Sequence, residues 1–368
     1  MNMIAYVIAV LFYTTCECLI PNNTNVGTLF QSFDEESPYL NKVNNIVERK
    51  GRATLSYPNT GVNGMMGFAK AARVTGGTAG PVVFVSTVDE FRKAVAGSDK
   101  KIVVINRNLI ANTLTKVSFG ANKSIIGSYG NNILHNVHLR ASQTSGNVIF
   151  QNIVFRHDEK IKDNDDIQLY LNYGTGYWVD HCYWPGHNWN GADGSTDKLI
   201  YVGDKANYVT ISHCHFKSHK YGCIFGHPAD DENMQYLGYP RITICHNRFE
   251  NMEVRAPGLM RYGYYHVYNN YINNFHLSFT FLSHANIVSE SNFLGAGSEN
   301  RGHLDDKGNA KFTDRDSVPK LTARLSSPAD WTPSSNYNYK RMTAAEAKIW
   351  NIAHSGVAAS ANQLHFAE

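Results

Sequence analysis

Charge is scarce in this chain. Only 18% of its residues are Asp, Glu, Lys or Arg, and a net charge of +3 is too small to argue for a nucleic-acid partner. Beyond the N-terminus no apolar run is long enough to cross a membrane as a helix, so no membrane role is expected. There is no C-x-x-C pair, which weighs against a structural metal site built on cysteine. What the chain does have is Gly (29), Tyr (21) and Phe (18), with frequent Asn, a composition that suits a β-rich protein with many turns rather than a helical bundle. Its 368 residues suffice for a large core, in one elongated domain or two compact ones.

The N-terminus reads as a secretory signal. Ile4 to Tyr13 is an apolar run, too short for a spanning helix, with small or short residues following through Cys18 and no Lys or Arg ahead of it. Residues 1–18 are therefore expected to be removed, leaving 19–368 as a secreted single domain. Cys16 and Cys18 would leave with the signal. Cys182, Cys214, Cys223 and Cys245 would remain in a compartment that permits disulfides without requiring them. N-N-T at Asn22 and N-K-S at Asn122 are glycosylation sequons.

Between 147 and 293 a nine-residue pattern recurs at 147–155, 176–184, 208–216, 241–249, 264–272 and 285–293, with copies starting 21 to 33 residues apart. Positions two and four are mostly apolar, as in a strand with one buried face. Positions six and seven are mostly Asn, His, Cys, Ser or Glu, and position nine is Phe, Trp or Ile. One copy cannot bury its own apolar face, but copies stacked in parallel bury a continuous core. Polar residues at a fixed place just after a strand suit a corner where side chains ladder from coil to coil. The pattern predicts an all-β, single-stranded parallel β-helix. In that register Cys182 and Cys214 share position seven, as stacked thiols or as a disulfide.

Around the repeats, 19–80 is a less regular lead-in. Val82 to Ile105 reads as strand, helix (Thr87 to Ala96), strand, and Ser124 to Gly127 begins the stacked region. The pattern fades after about 295. Thr343 to His354 reads as a helix with a T-A-A-E capping box, placed to cover an open end of the solenoid. No linker divides the chain.

The segment His246 to Tyr271 holds two strand-like pieces joined by a loop carrying Arg255 and Arg261. Two guanidinium groups between repeats suit an acidic substrate. Ordered pieces along the chain then carry a resemblance: G-F-A near 67, T-G-G (75–77), S-I-I-G (124–127), N-V-I-F-Q-N-I (147–153), W-V-D-H (178–181), Y-V-T-I-S (208–212), H-N-R-F (246–249), R-A-P…R-Y-G (255–263) and H-V-Y-N-N-Y (266–271). In this order they resemble polysaccharide lyase family 1, the pectate and pectin lyases. The resemblance implies a right-handed β-helix that cleaves polygalacturonate-like acidic polysaccharide by β-elimination, usually with Ca²⁺, and a monomer is expected. It casts Arg255 as the base, Arg261 as a carboxylate binder, and Asp163, Asp165 and Asp197 as calcium ligands, with Asp166 an alternative by a one-residue slip.

Three positions depart from that pattern. Tyr201 stands where calcium-dependent members carry Asp, with Asp193 or Asp204 as nearby substitutes. Tyr221 stands where the family has its Lys, and Lys220 lies one place early, so it can serve in catalysis only if the chain re-aims it. Arg255 and Arg261 are one residue further apart than in the family, with Gly258 as the extra residue. Members that cleave methyl-esterified pectin do without calcium. The alternative reading is a catalytically impaired β-helix that binds an acidic glycan or a partner without cleavage; a glycoside hydrolase with paired carboxylates suits the sequence less.

Overall fold

Parallel pairing dominates the chain from Val82 onward in the computed structural model, which describes residues 55–161, 167–187, 198–228, 230, 234–296 and 302–367. Strands are numbered in chain order. A first sheet runs β1 (Val82–Val85), β2 (Lys101–Ile105), the ends of β3 (Leu109–Gly127) and β4 (Ile133–Gln151), then β7 (Thr175–Asp180), β10 (Asn207–Ser212), β13 (Arg241–Cys245), β16 (Tyr264–Tyr268), β19 (Asn286–Glu290) and β22 (Lys311–Arg315). The second sheet includes β5 (Val154–Arg156), β8 (Tyr183–Trp184), β11 (His215–Tyr221), β14 (Arg248–Val254), β17 (Tyr271–Phe275) and β20 (Phe293–Leu294). The third includes β6 (Leu169–Leu171), β9 (Ile200–Gly203), β12 (Cys223–His227), β15 (Gly258–Leu259), β18 (Leu277–Phe281) and β21 (Gly302–Asp306). The chain visits the three sheets in turn and comes back one coil further along. This is the parallel β-helix that the repeats predict, right-handed as the resemblance implies.

The corner between first and second sheets explains the polar positions of the repeat. Position six is Asn152, His181, His213, His246, Asn269 or Ser291, and each has a left-handed backbone, with φ of 60, 46, 51, 55, 51 and 49°. Asn and His tolerate that region better than branched residues. Position seven turns inward. Asn247, Asn270 and Asn292 form a buried ladder in which each amide meets the next coil: Asn270 Nδ2 donates to Asn292 Oδ1 (2.9 Å), and Asn247 Nδ2 to Asn270 Oδ1 (3.0 Å). The ladder begins with Cys182 and Cys214 as free thiols rather than a disulfide, and the Cys214 amide donates to Asn247 Oδ1 (2.8 Å). Position nine builds an aromatic stack inside the core: Phe155 on Trp184 (4.7 Å), Trp184 on Phe216 (4.7 Å), Phe216 on Phe249 (5.0 Å).

Two expectations about the stack are corrected. Tyr264 pairs with Asn286, so the last copy of the repeat starts at 286 and not 285; Asn292 then takes position seven. The apolar alternation in A-N-I-V-S is weak, and only the ladder partner sets its frame. The stack is also longer than the repeat suggests, running from Val82 to Arg315, because β1, β2, β21 and β22 pair in register without the Asn or aromatic markers.

The helices follow their local signals. α1 (Gly67–Ala71) lies on the outer face of the first sheet, where Thr243 Oγ1 and Thr210 Oγ1 accept from the amides of Phe68 and Ala69. α2 (Val88–Val95) is capped by Thr87 and buries Phe91, Ala94 and Val95 against the first coils. α3 (Ala344–His354) has the expected capping box between Thr343 and Glu346. It does not cover an open end of the solenoid as expected but rests along the corner between first and second sheets, with Asn351 Nδ2 donating to the Asn269 carbonyl (2.7 Å) and Ser355 Oγ to the His246 carbonyl. Asn122 spends its amide within the fold, donating to the Ser98 carbonyl (2.8 Å), the nitrogen a glycan would need.

Candidate active-site cleft

Alternation along the third sheet decides what faces outward. Leu169, Leu171, Ile200, Val202, Cys223 and Phe225 point into the core with no exposure. The residues between them therefore point out. Register sets these in one row: Arg140 beside Tyr170, Tyr170 beside Tyr201, Tyr201 beside Ile224, Ile224 beside Gly258.

Tyr201 does not stand free on this row. Its ring lies flat on Tyr170, with centroids 4.1 Å apart, and Ile167, Ile224 and Met260 pack around it, leaving it 3% exposed. Its hydroxyl donates to the His227 carbonyl (3.0 Å) and to Asp204 Oδ2 (3.4 Å). Burial, then the neighbouring Tyr170 and Asp204, push its pKa far up, so it stays a neutral phenol. The Arg140 guanidinium carbon lies 5.1 Å from the Tyr170 ring centroid.

Arg255 sits at the corner between β14 and β15 with a left-handed backbone, φ 63°. That backbone is pinned from the coil before it. The Arg255 carbonyl accepts from the Cys223 amide (2.9 Å), and the Val254 carbonyl accepts from Gly222 (3.0 Å). Gly222 is required here, because a Cβ would come within 2.4 Å of the Arg255 carbonyl oxygen. Tyr221, paired with Val254 in the register, carries three cations about its ring: Arg255 (5.1 Å), Lys220 (5.5 Å) and Lys198 (5.9 Å) from the centroid. Lys220 and Arg255 thus meet at one aromatic ring although Lys220 is out of step with the family pattern.

Arg261 occupies different ground. It is wholly buried, its guanidinium carbon 4.0 Å from the Tyr236 ring centroid and its Nη2 donating to the Asp204 carbonyl (2.6 Å). Burial raises the Asp204 carboxyl above its usual range, against the pull of Arg261. His227, beside Tyr201, is pushed down by burial and then by Lys198. The longer span between the two arginines is not taken up at Gly258, which lies in register between Ile224 and Thr280.

Asp163, Asp165 and Asp197, with the alternatives Asp166 and Asp193, lie outside the described residues. Sequence reading passed over Lys198, Tyr170, Tyr236 and His227. Tyr170 could have been found by carrying the repeat register onto the third sheet, since it precedes Tyr201 by one coil. Tyr236 lies in a segment without repeat signal.

Among the described residues one group could hold a metal ion: Asp180, His181 and His213, whose ligand atoms lie within 4.8 Å of one another. All three are fully buried at the first corner, away from Arg255. Both Asp180 oxygens are already engaged, Oδ2 by Gln151 and His181 and Oδ1 by Ser212 and His213. Burial opposes its charge, but His181 and His213 outweigh that and hold the carboxyl well below its ordinary range. Calcium prefers an all-oxygen shell, which this group does not offer. Nor do the described residues of the cleft: where a calcium carboxylate is expected there is a buried phenol, and Asp204 faces Arg261.

The model of a family described as pectate lyase matches residues 47–360. A pectin lyase of Pectobacterium carotovorum is 60% identical over 83% of this chain and 98% of its own length. A pectin lyase of Bacillus subtilis is 44% identical over 83% of this chain and 91% of its own. Among solved structures, a pectate lyase bound to a hexasaccharide superposes with a TM-score of 0.69 at 20% identity, covering 83% of this chain and all of the other. A pectate lyase from Bacillus sp. N165 in complex with trigalacturonate gives 0.67 at 22% identity, covering 79% and 98%.

Proposed function

The chain belongs to the pectate lyase family and is a polysaccharide lyase, and from that premise we propose that it cleaves a methyl-esterified, pectin-like polyuronate by β-elimination without calcium. The observation that carries this reading is the Tyr170–Tyr201 stack. A cation bridge to a substrate carboxylate needs oxygen ligands on the cleft floor. Here the floor is the Tyr170–Tyr201 stack packed on buried Ile224 and Met260, so among the described residues it presents the partly exposed Tyr170 and no ionised oxygen, which suits a neutral ester. The relatives at 60% and 44% identity carry the name pectin lyase, which supports the same substrate.

The chemistry then runs on the groups around Tyr221. An ester carbonyl is neutral, so the adjacent C5 proton is already more acidic than one beside a carboxylate, and no metal is needed to mask a charge. Arg255 takes the C5 proton. The electron pair forms the C4–C5 double bond, the C4–O bond breaks, and the departing glycosidic oxygen collects a proton from solvent. Lys198 and Lys220, gathered at the same ring as Arg255, disfavour its charged form and stabilise negative charge growing on the ester carbonyl. Arg261 supports the floor from below through Asp204 and Tyr236 and reaches a substrate carboxylate only if Tyr236 moves aside. Asp163, Asp165 and Asp197, the calcium ligands that the resemblance implies, have no part in this reaction. The polymer is extracellular in this reading, and residues 1–18 serve as the secretion signal of a monomeric enzyme.

The experiment is the rise in ultraviolet absorbance of the unsaturated product on highly esterified pectin, with and without chelator. Arg255→Ala is expected to lower kcat about a thousandfold, within the range for a lost general base. Binding of esterified substrate with no new chain ends from the unmutated protein would sink this proposal in favour of a non-cleaving binder.

A further inference from the structure

We propose a second carbohydrate site, on the face formed by the first sheet, that binds an oligouronate with free carboxylates. A cavity of about 670 Å³ opens there between the segment around α1 and the segment around Tyr339. That volume falls within the range of ordinary ligand pockets, roughly 300–1,000 Å³. Tyr268, the last residue of β16, lies at its base, so it sits on the first sheet, whereas Arg255 lies where the second sheet passes into the third.

Its lining has one sign of charge. Lys70, Arg73 and Lys340 all face it, and among the described residues no Asp or Glu does. None of the three side chains makes a hydrogen bond or ion pair within the described residues, and all three residues are exposed. Arg73 is notable for its backbone as well. It takes the left-handed position that ends α1, φ 55°, where Gly or Asn is the ordinary choice. The chain thus accepts a less favourable residue at the one place that puts a guanidinium at the mouth of the cavity. Asn63 and Asn338 add amides, and Tyr339 adds a half-buried ring whose hydroxyl is already spent on Glu290 (2.7 Å). Cations for carboxylates, amides for hydroxyls and an aromatic face for a pyranose are the elements of an acidic-sugar site.

The inference rests on the polyuronate reading above and divides its substrate. The neutral floor at Tyr170 and Tyr201 takes esterified stretches, and the cationic cavity takes de-esterified ones. A polymer carrying both would be held at two points, which raises the local concentration of esterified chain at the cleft.

The test uses the full chain carrying Arg255→Ala, which binds without turnover, and calorimetric titration with unesterified tetragalacturonate, its fully methylated form and inorganic phosphate. Binding of the acid oligomer, weakening steeply with salt, is expected to drop at least tenfold on adding Lys70→Glu, Arg73→Glu and Lys340→Glu, while binding of the ester is unchanged. All three positions are exposed, and an unchanged circular dichroism spectrum verifies folding. The same three changes in the Arg255 enzyme should leave cleavage of short methylated oligomers unaltered. Acid-oligomer affinity that survives charge reversal overturns the site, as does phosphate binding as tight as the oligomer. Lack of cleavage by the Arg255 enzyme would count against the catalytic reading alone, because the cavity is scored by binding.

Discussion

The ring of Tyr201 lies parallel to that of Tyr170, with planes 2° apart and centroids 4.1 Å apart. Two neutral aromatics, one coil apart, thus cover the part of the third sheet where a calcium-dependent enzyme needs charge.

Chelation should accordingly leave the rate on esterified pectin within twofold of the untreated value. Tyr201→Asp should lower kcat/KM on that substrate about tenfold or more, since it removes the stack and places a carboxylate in a site whose burial disfavours charge. Initial rates with and without chelator check both. A rate abolished by chelator and restored by Ca²⁺ would move the mechanism back to the carboxylates outside the described residues.

Tyr221 separates ring from hydroxyl. Tyr221→Phe keeps the face that gathers Arg255, Lys220 and Lys198 and should retain kcat within about threefold. Tyr221→Leu removes cation–π contacts of about 0.5–1 kcal/mol each, which predicts a fall in kcat of about tenfold with little change in KM. Equal kcat for the two variants would show that the ring does not position Arg255.

Asn270 carries the ladder. Its amide donates to the Ile244 and Tyr268 carbonyls and to Asn292, and its oxygen accepts from Asn247. Asn270→Ala leaves several buried partners unsatisfied and should cost about 3 kcal/mol or more. Thermal unfolding should show a lower Tm by several degrees, with the rate per folded molecule retained because Arg255 lies beyond this corner.

A pH dependence of stability follows from His157. It stacks on His187 (4.7 Å), and its Nδ1 lies 3.3 Å from His138 Nε2. Burial first, then His187, His219 and His135, push its pKa down to about 3, with Asp158 pulling the other way. The unfolded chain takes up a proton near pH 6.5 that the folded chain refuses, so stability is full above that pH and falls as the medium is acidified toward 3. By pH 5 this residue alone should cost about 2 kcal/mol. Urea midpoints between pH 7 and 5 should show the loss, and His157→Leu should flatten it.

Much of the solenoid was legible because its determinants repeat. Phe155, Trp184, Phe216 and Phe249 mark one inward column, and Asn247 and Asn270 another, so the sequence carries its own alignment. The ends of the stack were not legible: β1 and β22 pair in register, but their side chains, even where Asp314 accepts from Ser289 and Arg315 donates to Glu290, repeat none of the residues that mark the pattern. In the cleft, Arg255 was identified by its motif and Tyr201 by a departure from it. The grouping of Lys198, Lys220 and Arg255 was not, because it depends on one ring reached from three coils. Arg261 was foreseen as a contact for substrate, but its burial under Tyr236 depends on a segment with no periodicity.

The corner with left-handed backbone has a consequence for how such a chain can change. From β4 onward the connection between first and second sheets is two residues in six successive coils: Asn152–Ile153, His181–Cys182, His213–Cys214, His246–Asn247, Asn269–Asn270 and Ser291–Asn292. The other connections are not held to one length; β12 ends at His227 and β13 begins only at Arg241, whereas β11 and β12 are parted by Gly222 alone. The fixed corner therefore resets the phase of each of these six coils. An insertion that lengthens a loop beside the cleft ends within its own coil, and the next one starts in step. The edge defined by these two-residue turns acts as a spine, leaving the opposite side free to vary its loops, and with them its substrate, without disturbing the stack.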